Sequence, residues 1–199
     1  MKFSPTELRD ISIAWVVLGV AFGILLAGGP QVLLAGGEVL LPFFVGFATA
    51  GVGFLLHELA HKVVAIRFGQ IAEFRADYNM LVLTLLSAMA GFLVAAPGAV
   101  HHRGRVSLRE RGLISLAGPV TNLALLVPFA LLMLAPGELL QLIGRTGLFI
   151  NALLAAFNMA PFGPLDGRTV VKWNKAVFVA VFVPSLALAL FVFLGPTIL

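Results

Sequence analysis

The chain has 199 residues, of which 60% are apolar and only 11% charged, and its mean hydropathy is +1.07. These values lie far outside the range of soluble domains, so they predict an integral membrane protein. The net charge of +4 comes from basic residues in short loops, which indicates membrane topology and no nucleic-acid partner. Cysteine is absent, so any metal must be bound by histidine and oxygen ligands.

Five stretches are apolar enough to cross a bilayer as helices, which takes about 20 residues each. They cover residues 11–27, 39–66, 112–134, 147–162 and 176–194, and the fourth can be extended towards Leu139. The first is too long for a signal-peptide core and has no convincing cleavage site, so we interpret it as a retained span. The sequence predicts an all-α polytopic membrane protein with one transmembrane domain over residues 1–199.

A sixth apolar stretch, residues 80–100, is ambiguous, and loop charges favour a re-entrant or hairpin segment. If the N-terminus is cytoplasmic and this stretch returns to the side it came from, every Lys and Arg except Arg145 is cytoplasmic. That distribution fits the positive-inside rule. Pro97-Gly98 is a turn signal, and the residues before it could be helical or extended. A six-span version, in which residues 80–95 cross, is the alternative.

The second span contains the segment His57-Glu58-Leu59-Ala60-His61. A charged group at membrane depth costs roughly 2.5–3.5 kcal/mol even on lenient insertion scales, which favours a functional role. Residues four apart lie on one face of a helix, so both imidazoles can reach one metal, while Glu58 is displaced by about 100°. This is the HExxH arrangement of zinc hydrolases. The alternative is a buried histidine pair bonded to neighbouring helices.

Hydrolytic zinc usually has three protein ligands and one open position, so a further ligand is expected. The predicted topology selects Asp166, because it follows the cytoplasmic end of the fourth span, whereas Glu38 and Glu138 fall at the opposite face. The prolines and glycines of residues 158–167 should end the helix and could turn Asp166 inward. An ordinary loop with a solvated aspartate is the alternative.

HELAH in one span, with NMAPFGPLDG at the end of a later one, resembles the site-2 protease family of intramembrane zinc metalloproteases, in a short form without PDZ or CBS domains. The run from Ala117 to Asn122 resembles a further family element, and the likeness covers residues 39–170. This segment would be the catalytic core, between flanking spans 11–27 and 176–194.

The resemblance implies a role for each matching residue. One Zn²⁺ ion per chain would be bound, Asn122 would orient elements around the site or make an interhelical hydrogen bond, and Asn158 would hold or polarise the scissile carbonyl. Glu58 would activate the water. The metal ligands would be His57, His61 and Asp166.

The expected activity is hydrolysis of peptide bonds in or near transmembrane segments of membrane-protein substrates, on the cytoplasmic side of a prokaryotic cell membrane. We hypothesise that residues 80–100 offer an extended edge to which the unwound substrate pairs as an added strand. Two alternatives stay open. A transporter or ion-handling protein would use the histidines and Glu58 as a relay without requiring Asp166, and a membrane scaffold would keep the metal only for structure.

Overall fold

The computed structural model describes residues 2–33 and 40–194, so Glu38 and the predicted start of the second span at Val39 lie outside the described residues. The helices are α1 (Pro5–Leu26), α2 (Leu40–Arg67), α3 (Tyr78–Met89), α4 (Leu108–Met133), α5 (Glu138–Asn158), α6 (Asp166–Trp173) and α7 (Lys175–Leu194). The strands β1 (Ile71–Ala76) and β2 (Gly98–Arg103) form a two-stranded sheet. Short irregular pieces are a 3₁₀ turn at Pro30–Leu33 and a π-helical stretch of α2 at Phe47–Gly51.

Five of these helices, α1, α2, α4, α5 and α7, are long and apolar enough to cross a membrane. This confirms the prediction of an all-α polytopic membrane protein with about five spans. The first helix begins earlier than predicted because Ser4 caps it: its hydroxyl accepts a hydrogen bond from the Glu7 N–H, and Pro5 occupies the first helical position. The fourth span, α5, ends at Asn158, shortly before Pro161, which cannot continue a helix.

The ambiguous segment is helical in its first part and extended in its last part. Helix α3 has 12 residues, so it is about 18 Å long and too short for a hydrocarbon core of about 30 Å. A sixth span therefore does not form as a single helix. The turn predicted at Pro97-Gly98 lies instead at residues 90–92, where Gly91 has a φ of 88° that favours glycine. Pro97 leads directly into β2.

The chain divides into two compact units, and the first comprises residues 1–55 and 73–101. In it α1 and the first part of α2 approach closely, because a Cβ added to Gly46 would lie only 2.6 Å from the Gly19 carbonyl oxygen. The buried Glu7 and Asp10 carboxylates accept hydrogen bonds from the backbone N–H groups of Phe74 and Ala76 in β1, at 3.1 and 3.4 Å. These bonds explain why acidic residues are buried in an apolar helix.

The second unit comprises residues 56–72 and 102–199 and includes the end of α2 that carries the histidines. Helices α4 and α5 lie so close that a Cβ on Gly144 or Gly147 would overlap Phe129 or the backbone of Met133. Helix α6 packs against α4 where the Trp173 ring covers Gly112. The single-domain interpretation of residues 1–199 stays a prediction.

Candidate metal centre

Helix α2 presents His57 and His61 on one face, as their spacing predicts. Both side chains are buried, with 5% and 8% of the residue exposed, and their ring centroids lie 4.6 Å apart. Their Nε2 atoms approach to 2.9 Å. Two imidazole nitrogens therefore converge on one point.

The opposite nitrogen of each imidazole contacts an oxygen of α4. His61 Nδ1 lies 2.7 Å from the Ile114 carbonyl oxygen, and His57 Nδ1 lies 2.6 Å from Oδ1 of the buried Asn122. Because these oxygens accept hydrogen bonds, each Nδ1 carries a proton and donates it, which leaves a lone pair on Nε2. Both imidazoles are thus held in the tautomer that a metal requires at Nε2.

Asp166 is the first residue of α6, directly after the irregular stretch that ends α5. The next residue, Gly167, lies against the end of α5, where a Cβ would overlap the carbonyl group of Met159. The glycine therefore allows α6 to lie against this helix end, and the packing of Trp173 on Gly112 holds the other end of α6. This arrangement fixes the position of the Asp166 carboxylate.

The Asp166 carboxylate completes a triangle of ligand atoms. Its Oδ2 atom lies 3.3 Å from His57 Nε2 and 3.2 Å from His61 Nε2. In tetrahedral zinc sites with metal–ligand distances of about 2.0–2.1 Å, the ligand atoms are about 3.3 Å apart. These three residues form a group that could hold a metal within the described part of the chain, and their geometry fits zinc.

A glycine makes room for this triangle. A Cβ added to Gly118 of α4 would overlap the Nε2 atoms of both His57 and His61. The sequence analysis missed this requirement, although Gly118 lies within the run that resembles a family element.

The charge of Asp166 suits a metal ligand. Burial alone would raise the pKa of its carboxyl, but the electrostatic attraction of His61 and the contacts with both imidazoles prevail and hold this pKa at about 2. The carboxylate is therefore ionised at neutral pH. Its side chain is 17% exposed, more than either imidazole, so Asp166 is the most solvent-accessible member of the triangle.

The other two predicted site residues, Glu58 and Asn158, do not belong to the triangle of ligand atoms. Glu58 is buried at 7% exposure, and its carboxylate lies close enough to His61 to interact with it electrostatically. Asn158 is half-buried near the end of α5, where its side-chain N–H donates to the Leu154 carbonyl at 2.9 Å. Its role in holding a scissile carbonyl stays a prediction.

A histidine pair on one helix, an aspartate from a distant segment and a glutamate beside the pair match the residue arrangement of zinc metalloprotease sites. Comparison with known proteins also indicates a zinc metalloprotease. The chain is 39% identical over 194 residues to a candidate zinc metalloprotease of Methanocaldococcus jannaschii, with 96% of both chains covered. The chain belongs to this zinc metalloprotease family.

Two further relatives agree with this membership. A candidate zinc metalloprotease of Bacillus subtilis is 35% identical over 153 residues, which is 67% of this chain and 69% of the relative. A third, from Synechocystis, is 28% identical over 85% of this chain and 44% of its own length. No family model and no solved structure matches the chain.

Proposed function

We propose that the protein is an intramembrane zinc metalloprotease of the site-2 protease type, which hydrolyses peptide bonds in or near transmembrane segments of membrane-protein substrates. One observation carries the proposal: Asp166 lies 3.2–3.3 Å from both histidine Nε2 atoms, and this triangle belongs to a chain with five candidate spans. The loop charges support a multi-pass protein of a prokaryotic cell membrane whose active site faces the cytoplasm.

The metal centre would hold one zinc ion through His57, His61 and Asp166. When bound, zinc supplies a Lewis acid that lowers the pKa of water towards about 7 and polarises a carbonyl. The protein's own contribution is to fix three ligand atoms in advance and to exclude most solvent from them. A two-histidine, one-carboxylate set also suits other divalent ions, so metal content has to be measured.

Glu58 would act as the general base and then as the general acid. It is one residue from His57 on α2, where its carboxylate can take a proton from the attacking water and return it to the leaving amine. Asn158 would hold or polarise the scissile carbonyl. A membrane-spanning substrate must first unwind locally, because its helix hides these carbonyls in hydrogen bonds.

Pairing of an unwound substrate with residues 80–100 as an added strand requires that part of this segment is extended. Helix α3 ends at Met89, so only the last part of this segment, which continues into β2, can offer an extended edge. Proline substitutions in β2 that leave cleavage intact would count against substrate pairing there.

The structure also bears on the transporter alternative. A proton or ion relay through His57, Glu58 and His61 does not require Asp166, whereas a hydrolytic zinc site requires a further ligand. The closure of the triangle by Asp166 favours the enzyme.

The test is proteolysis of a defined membrane substrate by the purified full-length protein in detergent and in liposomes. The substrate is a single-span protein tagged at both ends, with Asn, Gly and Pro placed within its transmembrane helix. We expect cleavage within or next to that helix, loss of cleavage with 1,10-phenanthroline, and recovery when zinc is added back. Cleavage sites are mapped by mass spectrometry, and cleavage confined to unfolded soluble proteins would contradict the proposal.

A further inference from the structure

A chain of buried amides leads from His57 through α4 into α5. The Asn122 side-chain N–H donates to Asn151 Oδ1 at 2.9 Å, and the Asn151 side-chain N–H donates to the Gly147 carbonyl at 2.9 Å. Neither asparagine is exposed to solvent. Sequence analysis gave no role to Asn151.

The backbone fixes the direction of this chain at its far end. The Gly147 carbonyl can only accept, so the NH₂ group of Asn151 must face it and Oδ1 must face Asn122. Asn122 must then donate to Asn151, and its own Oδ1 is left facing His57. The 2.6 Å contact between these two groups therefore places the proton on His57 Nδ1.

This direction decides whether His57 can bind a metal. If Asn122 were reversed, its NH₂ group would face Nδ1, and the imidazole proton would move to Nε2, the atom that faces Asp166. A protonated Nε2 has no lone pair to offer. His61 needs no such control, because the backbone carbonyl of Ile114 already fixes its tautomer.

We propose that Asn151 is a positioning residue that sets the tautomer of His57 through Asn122 and so prepares the centre for zinc. The inference rests on the proposed zinc site and deepens it. Its support is the complete, directional set of bonds from the Gly147 carbonyl to the imidazole, all within one compact unit. Asn151 touches neither the metal ligands' Nε2 atoms nor substrate in this scheme; it acts through Asn122.

Asn151→Ala should weaken zinc binding by up to about 10- to 100-fold, the range found when direct partners of metal ligands are removed, because it releases the orientation of such a partner, Asn122. Zinc affinity is measured on the full-length protein in detergent by competition with a chromophoric chelator, and the visible spectrum of the Co²⁺ form should change as well. Thr121→Val is the control. It removes a hydroxyl that donates to the Ala117 carbonyl in α4 at 2.9 Å, outside the amide chain, and should change zinc affinity by less than about twofold.

Testing Asn151→Ala in a second variant, Asn122→Asp, separates an effect on the orientation of residue 122 from an effect on protein folding. Asn122→Asp presents an acceptor oxygen to His57 in either orientation, so Asn151→Ala should not weaken zinc binding further in this variant. Equal losses in both backgrounds would overturn the inference, because they would indicate a merely structural role. Nitrogen-15 NMR of histidine-labelled metal-free protein gives an independent reading: wild type should show His57 protonated at Nδ1, and protonation at Nε2 would overturn the inference.

The zinc measurements distinguish a failure of the proposed function from a failure of the inference about Asn151 alone. Wild-type protein that binds no zinc would overturn both the proposed function and this inference. Wild-type protein that binds zinc, with unchanged affinity and an unchanged Co²⁺ spectrum in Asn151→Ala, would overturn the inference alone.

Discussion

Glu58→Gln should slow peptide cleavage by a factor of about 10² to 10⁴, while zinc binds as tightly as in wild type. Glutamine has nearly the same shape as glutamate but cannot take a proton from water. The group that could hold the metal consists of His57, His61 and Asp166 and does not include Glu58. Initial rates on the tagged membrane substrate and metal content of the same preparation measure the two effects separately.

Glu138→Gln is the matched control, because it makes the same chemical change at an exposed glutamate in the first turn of α5. Its cleavage rate should equal that of wild type. Unchanged cleavage in Glu58→Gln would refute the assigned base, and loss of zinc from that variant would place Glu58 among the ligands.

Asp166→Asn should weaken zinc binding by more than about 100-fold, beyond the effect of removing a residue that only supports a ligand. The substitution keeps the side-chain volume but removes the negative charge, and its NH₂ group can point at two Nε2 lone pairs. The pKa of about 2 means that the native carboxylate is fully ionised at neutral pH, so the whole charge is lost. Chelator competition measures the affinity, and cleavage should fall with it.

Asp77→Asn is the control for this variant. Asp77 caps α3 by accepting a hydrogen bond from the Met80 N–H at 3.0 Å, and asparagine caps helices equally well. Folding and zinc affinity should therefore be unchanged. Wild-type zinc affinity in Asp166→Asn would remove the aspartate from the ligand set and leave a histidine pair without its third partner.

The cluster of His57, His61 and Asp166 was predictable because each of these residues has a local signal in the sequence. The four-residue spacing of His57 and His61 places them on one helix face, and the prolines and glycine before Asp166 end α5 where the sequence predicts a break. The sequence did not predict that Asp166 begins a short helix, because a helix of eight residues gains its stability from packing, here on α4 and α7.

Residues whose roles depend on distant contacts were not predictable. Asn151 has no pattern that links it to Asn122, which lies on another helix, and Gly118 matters only because α4 passes against both imidazoles. Likewise, Glu7 and Asp10 are buried because they accept hydrogen bonds from β1, a strand that the apolar pattern did not reveal. Long-range pairing of this kind leaves no periodic signal in a single sequence.

Zinc K-edge X-ray absorption of wild-type protein, combined with metal analysis, is the most direct measurement of the three-ligand centre. One zinc per chain is expected, with two imidazole nitrogens and at least one oxygen at about 2.0–2.1 Å in the ligand shell. A protein that retains no zinc, or a zinc shell containing fewer than two imidazoles, would contradict the assignment of His57, His61 and Asp166.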